Sequence, residues 1–105
     1  MRVFYPRYDR DSLVALLKGR LPGLQGKLTV RRAALFGSYA TGRQTAASDI
    51  DLLIVYAGEP RDDAFAVVKR TLDIRGLEPH VLSEAEYDAV KGVWSRMLEN
   101  SIPLV

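Results

Sequence analysis

Leu35-Phe36-Gly37-Ser38-Tyr39-Ala40-Thr41-Gly42-Arg43 and then Ser48-Asp49-Ile50-Asp51-Leu52-Leu53-Ile54 are the two runs on which the reading of this chain turns. In the first, an apolar strand ends at Gly-Ser and a short helical turn follows at once. Amides at a helix start have no partner inside the helix and suit phosphate oxygens. Gly37 lets the backbone approach a ligand with no Cβ in the way, and Ser38 adds a hydroxyl that can donate to a phosphate or cap the turn. An ordinary strand-to-helix turn with a serine cap has the same residues, so Gly-Ser alone decides little. In the second run, Asp49 and Asp51 stand at the mouth of the apolar strand Leu52–Tyr56. Residues two apart in a strand share a face, with Cα atoms roughly 6.5–7 Å apart. Two carboxylates so placed repel each other and lose hydration, and a hard cation such as Mg²⁺, which takes oxygen ligands together with substrate phosphates, relieves both.

Working outward, Leu13, Leu16, Leu17 and Leu21 recur at helical spacing and predict a helix over 11–21, with Asp9, Asp11 and Ser12 as caps and Pro22-Gly23 as its end. Leu28–Phe36 reads as a strand, Gln44–Ser48 as a polar loop, and Gly58-Glu59-Pro60 as the stop after the aspartate-bearing strand. A second helix is predicted over 62–75, buried through Phe65, Val68 and Leu72 and capped by Gly76. Leu77–Leu82 follows as a short strand, and Pro79 inside it argues for an edge or an irregularity. Ser83 and Glu86 match a capping box. They open a third long helix, with Tyr87, Val90, Trp94 and Met97 on its apolar face, and Ser101–Val105 adds a last short strand. The implied architecture is α/β (α+β): one domain over 1–105, a small mixed sheet of three to four strands with helices packed on it.

The 105 residues are 48% hydrophobic and 27% charged, the balance of a soluble globular domain, and argue against disorder. Fifteen Lys and Arg against thirteen Asp and Glu give a net charge of only +2, spread along the chain, so a nucleic-acid partner is not expected. There are no cysteines, which removes thiolate metal sites and cysteine nucleophiles. Met1–Arg10 has no apolar core of a signal peptide and no run reaches membrane-spanning length, so the expected location is cytoplasmic. A chain this small exposes much of its surface, which favours a partner or a homo-oligomer.

Gly-Ser, a short helix and Asp-x-Asp on the next strand together resemble the nucleotidyltransferase superfamily that includes DNA polymerase beta. The likeness is strongest to its minimal nucleotidyltransferases, and extends over roughly 13–105. The resemblance implies that Gly37 and Ser38 hold a triphosphate and that Asp49 and Asp51 bind Mg²⁺ or Mn²⁺. It also implies transfer of a nucleoside monophosphate, AMP from ATP, to a hydroxyl of a HEPN-family partner protein in an antitoxin-type role. Two departures stand out. Thr41 occupies a position where the family often has Arg, with Arg43 nearby to serve a phosphate. The third carboxylate expected on a later strand is missing. His80 falls about where it belongs, and Glu78 lies on the same face two residues earlier. Glu78 is the expected nearer neighbour of the aspartates, with His80 at the rim; either is chemically able to act as base. Tyr87 and Trp94 read as core rather than as a base-stacking platform, and Arg31-Arg32 as a solvated strand edge. The rival reading is a catalytically degenerate nucleotide-binding or protein-interaction module.

Overall fold

The computed structural model describes residues 8–45 and 48–105. Along the chain run α1 (Arg10–Gln25), β1 (Val30–Phe36), α2 (Ser38–Thr41), β2 (Ile50–Tyr56), α3 (Ala64–Leu72), β3 (Leu77–Ser83), α4 (Glu84–Ala89), α5 (Lys91–Met97) and β4 (Ile102–Pro103). One sheet holds all four strands in the order β3-β2-β1-β4. β1 is antiparallel to both β2 and β4, and β2 is parallel to β3 across the α3 crossover. The expected mixed sheet with helices packed on it is therefore what forms. Pro79 sits on the edge strand β3, where a missing N–H costs the sheet nothing.

Strand alternation sends side chains to two faces. On one, Ala33, Leu35, Leu52, Ile54 and Tyr56 pack under Leu13, Leu17, Leu21 and Leu24 of α1 and Val68 and Leu72 of α3. On the other, Phe36, Leu53 and Val55 form a smaller cluster with Tyr87 of α4 and Trp94 of α5. Asp51 lies two residues before Leu53, so it belongs to this second, more open face.

Helix ends differ from the sequence expectation, each for a local reason. Pro22 does not end α1, which runs on to Gln25. The proline removes one backbone bond, but fully buried Leu24 extends the apolar stripe past it. Arg20, one turn from that stripe's end, donates to the carbonyls of Leu72 and Asp73 and so caps α3 from outside. α3 starts late, at Ala64, and its buried residues are Ala64, Val68 and Leu72, a strict i, i+4, i+8 row. Phe65 lies off that row and is 53% exposed. The helix also stops before Gly76: Asp73 takes the left-handed cap position at φ 47°, which a short polar side chain tolerates. The predicted third long helix is broken at Val90 (φ −121°, ψ 19°) into α4 and α5. The break coincides with β-branched Val90 and with Gly92, two weak helix formers. Tyr87 and Trp94 stay buried across it, while Val90 and Met97 are exposed.

The capping box at Ser83 is present in both directions: Glu86 N–H donates to Ser83 Oγ at 3.1 Å, and Ser83 N–H to Glu86 Oε1 at 2.9 Å. Arg31 and Arg32 are exposed as expected, on a part of β1 that β4 does not reach. Arg32 nonetheless donates to the Tyr87 hydroxyl at 2.9 Å and lies over its ring. Of the predicted polar loop, residues 44, 45 and 48 are in neither helix nor strand, and 46–47 lie outside the described residues. The expectation of no apolar leader falls largely on residues 1–7, which also lie outside them. No helix among the described residues is long and apolar enough to cross a membrane.

Candidate nucleotide-transfer site

Gly37 joins β1 to α2 with φ 76° and ψ −154°, a backbone region open in practice only to glycine. A Cβ built there would collide with Asp51 Oδ2. The glycine thus does more than keep a path open for a ligand: it makes room for a carboxylate of the neighbouring strand. Register explains the meeting, since Phe36 pairs with Asp51 across β1 and β2, and Gly37 is the next residue. α2 is a single turn, in which the Ala40 and Thr41 amides donate to the Gly37 carbonyl. The Ser38 and Tyr39 amides begin the turn, the position where intrahelical partners run out. The Arg43 amide donates to the Ser38 carbonyl at 2.9 Å, tying exposed Arg43 to the same turn.

Asp49 precedes β2 and is exposed; Asp51 is its second residue and half-buried. Loss of hydration raises the Asp51 pKa above the usual 3.8, opposed by the charge of His80 and reinforced by Asp49 and then Glu78. Glu78 is exposed and aligned with Asp51 in the parallel β2–β3 register, and His80 with Leu53. His80 Nε2 lies 3.9 Å from Asp51 Oδ1. The imidazole also packs against two rings. Phe36 and Trp94 have centroids 5.3 and 5.5 Å from it, and lie 5.3 Å from each other.

The structure therefore brings together Gly37, Asp51 and His80, puts Asp49 and Glu78 within electrostatic reach, and ties Arg43 to Ser38. Sequence reasoning missed the part played by Phe36 and Trp94. Each was visible only as an apolar residue, and the register that sets Phe36 beside Asp51 is not written in any spacing. Among the described residues no three His, Asp or Glu side chains form a ready metal cage. Two oxygen-donor carboxylates, one of them partly stripped of water, still fit a hard divalent cation whose shell is completed by substrate phosphates.

A glycine-serine turn is set against a strand carboxylate at one end of the mixed sheet, as the sequence resemblance implies. The sequence agrees: the chain belongs to the nucleotidyltransferase domain family, whose profile matches residues 17–102. No curated protein matches it in sequence. Among solved structures it resembles a protein from Sulfolobus solfataricus described as a nucleotidyltransferase, with TM-score 0.62 and 24% identity over 90% of this chain and 80% of that one. A toxin–antitoxin crystallised with AMP-PNP shares the fold at TM-score 0.57 and 17% identity, over 93% of this chain and 73% of that one. A variant of the toxin–antitoxin MntA-HpeT with two Asp-to-Glu substitutions, two positions apart, does so at TM-score 0.56 and 15% identity, with the same coverage.

Proposed function

We propose that this domain transfers AMP from ATP to a hydroxyl group of a HEPN-family partner protein, in an antitoxin-type role. The observation that carries the reading is the approach of Gly37 to Asp51, which joins a phosphate-type turn to a carboxylate at one point. Gly37, Ser38 and Arg43 hold the triphosphate. Asp49 and Asp51 would hold Mg²⁺ or Mn²⁺, which would supply positive charge against the phosphates. The acceptor oxygen bonds to the α-phosphorus as the bond from that phosphorus to the α,β-bridging oxygen breaks. Pyrophosphate leaves with those electrons, and the acceptor proton passes to His80 or Glu78. Two likenesses support the reading: one similar complex contains an ATP analogue, and another was altered at two aspartates with the spacing of Asp49 and Asp51.

The test is incubation with the partner, ATP and Mg²⁺, followed by mass spectrometry of the partner. The expected result is addition of one or more AMP masses, abolished by Asp49→Asn, which removes a charge at nearly constant shape. Undiminished modification by Asp49→Asn overturns the role of that carboxylate. A second reading, nucleotide binding without turnover, draws on His80 standing where a third carboxylate is expected. Failure of the native protein to modify its partner, with ATP still bound, decides for it.

A further inference from the structure

The cluster of Phe36, His80 and Trp94 is not explained as ordinary core. Phe36 and Trp94 are 5% and 8% exposed, whereas the His80 side chain is 41% exposed. Two buried rings thus pack on an imidazole whose remaining surface is open, and whose Nε2 faces Asp51. The rings lie at tilted or edge-on angles, 55°, 71° and 87°, with centroids inside the 4.5–7 Å range of favourable aromatic contact. They arrive from three separate elements. Phe36 ends β1 opposite Asp51, His80 lies on the edge strand, and Trp94 is the one buried residue of α5. The attachment of α5 to the sheet therefore runs through the ring that touches His80.

We infer that Trp94, with Phe36 beneath it, is a positioning residue that holds the His80 imidazole with Nε2 toward Asp51 and the acceptor hydroxyl. An imidazole on an edge strand is otherwise free to turn about two side-chain torsions. Two rings packed together against one side of it restrict those torsions, and the proton released when the acceptor oxygen bonds to the α-phosphorus then has an acceptor at a fixed place. Pyrophosphate leaves as before. The inference rests on the nucleotide-transfer reading above.

The experiment compares the native protein with Trp94→Leu, which keeps apolar volume but removes the ring, and with Trp94→Phe, which restores a ring. NMR of the His80 side chain is recorded on each protein alone, and pyrophosphate release from Mg²⁺·ATP, with the partner or with water as acceptor, is measured alongside. In Trp94→Leu the His80 ring resonances are expected to move and its torsions to average. The turnover rate should fall about tenfold, short of the roughly 10²–10⁴-fold that a general base itself contributes, with the KM for ATP within about twofold. Trp94→Phe recovers most of both. In a His80→Ala background, Trp94→Leu costs no further rate. An unchanged His80 rotamer in Trp94→Leu overturns the inference, whatever the activity. So does a rate loss that adds fully to that of His80→Ala, since a merely structural tryptophan behaves so. His80→Ala at full rate instead overturns the assignment of His80 as base, and the catalytic meaning of the brace with it.

Discussion

At the scale of single residues the site is a compromise between three acids and one imidazole. Asp51 is half-buried beside Gly37 with Asp49 and Glu78 near, and its pKa is raised chiefly by lost hydration. A carboxyl whose folded pKa lies above its unfolded 3.8 keeps a proton that the unfolded chain has released. Stability therefore falls as pH rises through the window between 3.8 and the folded value, and the deficit persists above it. Asp51→Asn, neutral at every pH, escapes this. Without metal it is expected to melt higher than the native protein at about pH 7, with the gap closing near about pH 3, where both side chains are neutral. Thermal melting in EDTA at the two pH values checks the sign. A lower melting point for Asp51→Asn at neutral pH means that attraction to His80 outweighs the lost hydration. Much of this site was legible as residue types: Gly37, Ser38, Asp49 and Asp51 announce themselves by kind and spacing. What spacing does not contain is the approach of His80 to Asp51 and its packing on Phe36 and Trp94, residues far apart in the chain.

At the scale of elements, strands were read more faithfully than helix ends. Leu52–Tyr56 is buried on both sides and admits one interpretation, and Pro79 marks an edge because an inner strand has no use for a residue without N–H. Helix ends depend on which burial wins. Leu24 carries α1 past Pro22, the row Ala64-Val68-Leu72 leaves Phe65 outside, and Asp73 preempts Gly76. The exception is α4, whose start was visible because the capping box is a local chemical fact. Ser83 is fully buried and its hydroxyl accepts the Glu86 amide. Ser83→Ala is expected to cost about 1 kcal/mol, as for other lost N-caps, lowering Tm by roughly 4–8 °C in a domain of this size. Glu86→Gln retains the box and should stay within about 0.5 kcal/mol of the native protein. Equal destabilisation by both changes means that charge at the start of α4, rather than the reciprocal hydrogen bonds, stabilises it.

At the scale of the whole molecule, the sheet order β3-β2-β1-β4 gathers the Gly37-Ser38 turn and the acids Asp49, Asp51 and Glu78 at one end of the two central strands and the edge strand beside them. The same end must then take in a triphosphate that carries several negative charges of its own. Coulomb repulsion between these groups is large where hydration is partly lost. Binding of ATP is accordingly expected to require a divalent cation. Because a ligand that binds only the folded state stabilises it by RT ln(1 + [L]/Kd), saturation at a hundredfold over Kd adds about 2.7 kcal/mol. In a chain of this length that is a rise in Tm of roughly 10–20 °C. Melting curves with ATP and Mg²⁺, with ATP and EDTA, and with Mg²⁺ alone separate the contributions. The large rise should appear only with both together and shrink sharply in Asp49→Asn, whose remaining carboxylate leaves the cation poorly held. An equal rise with ATP in EDTA would remove the cation from the account and leave Gly37, Ser38 and Arg43 as a phosphate site that overcomes the aspartates unaided.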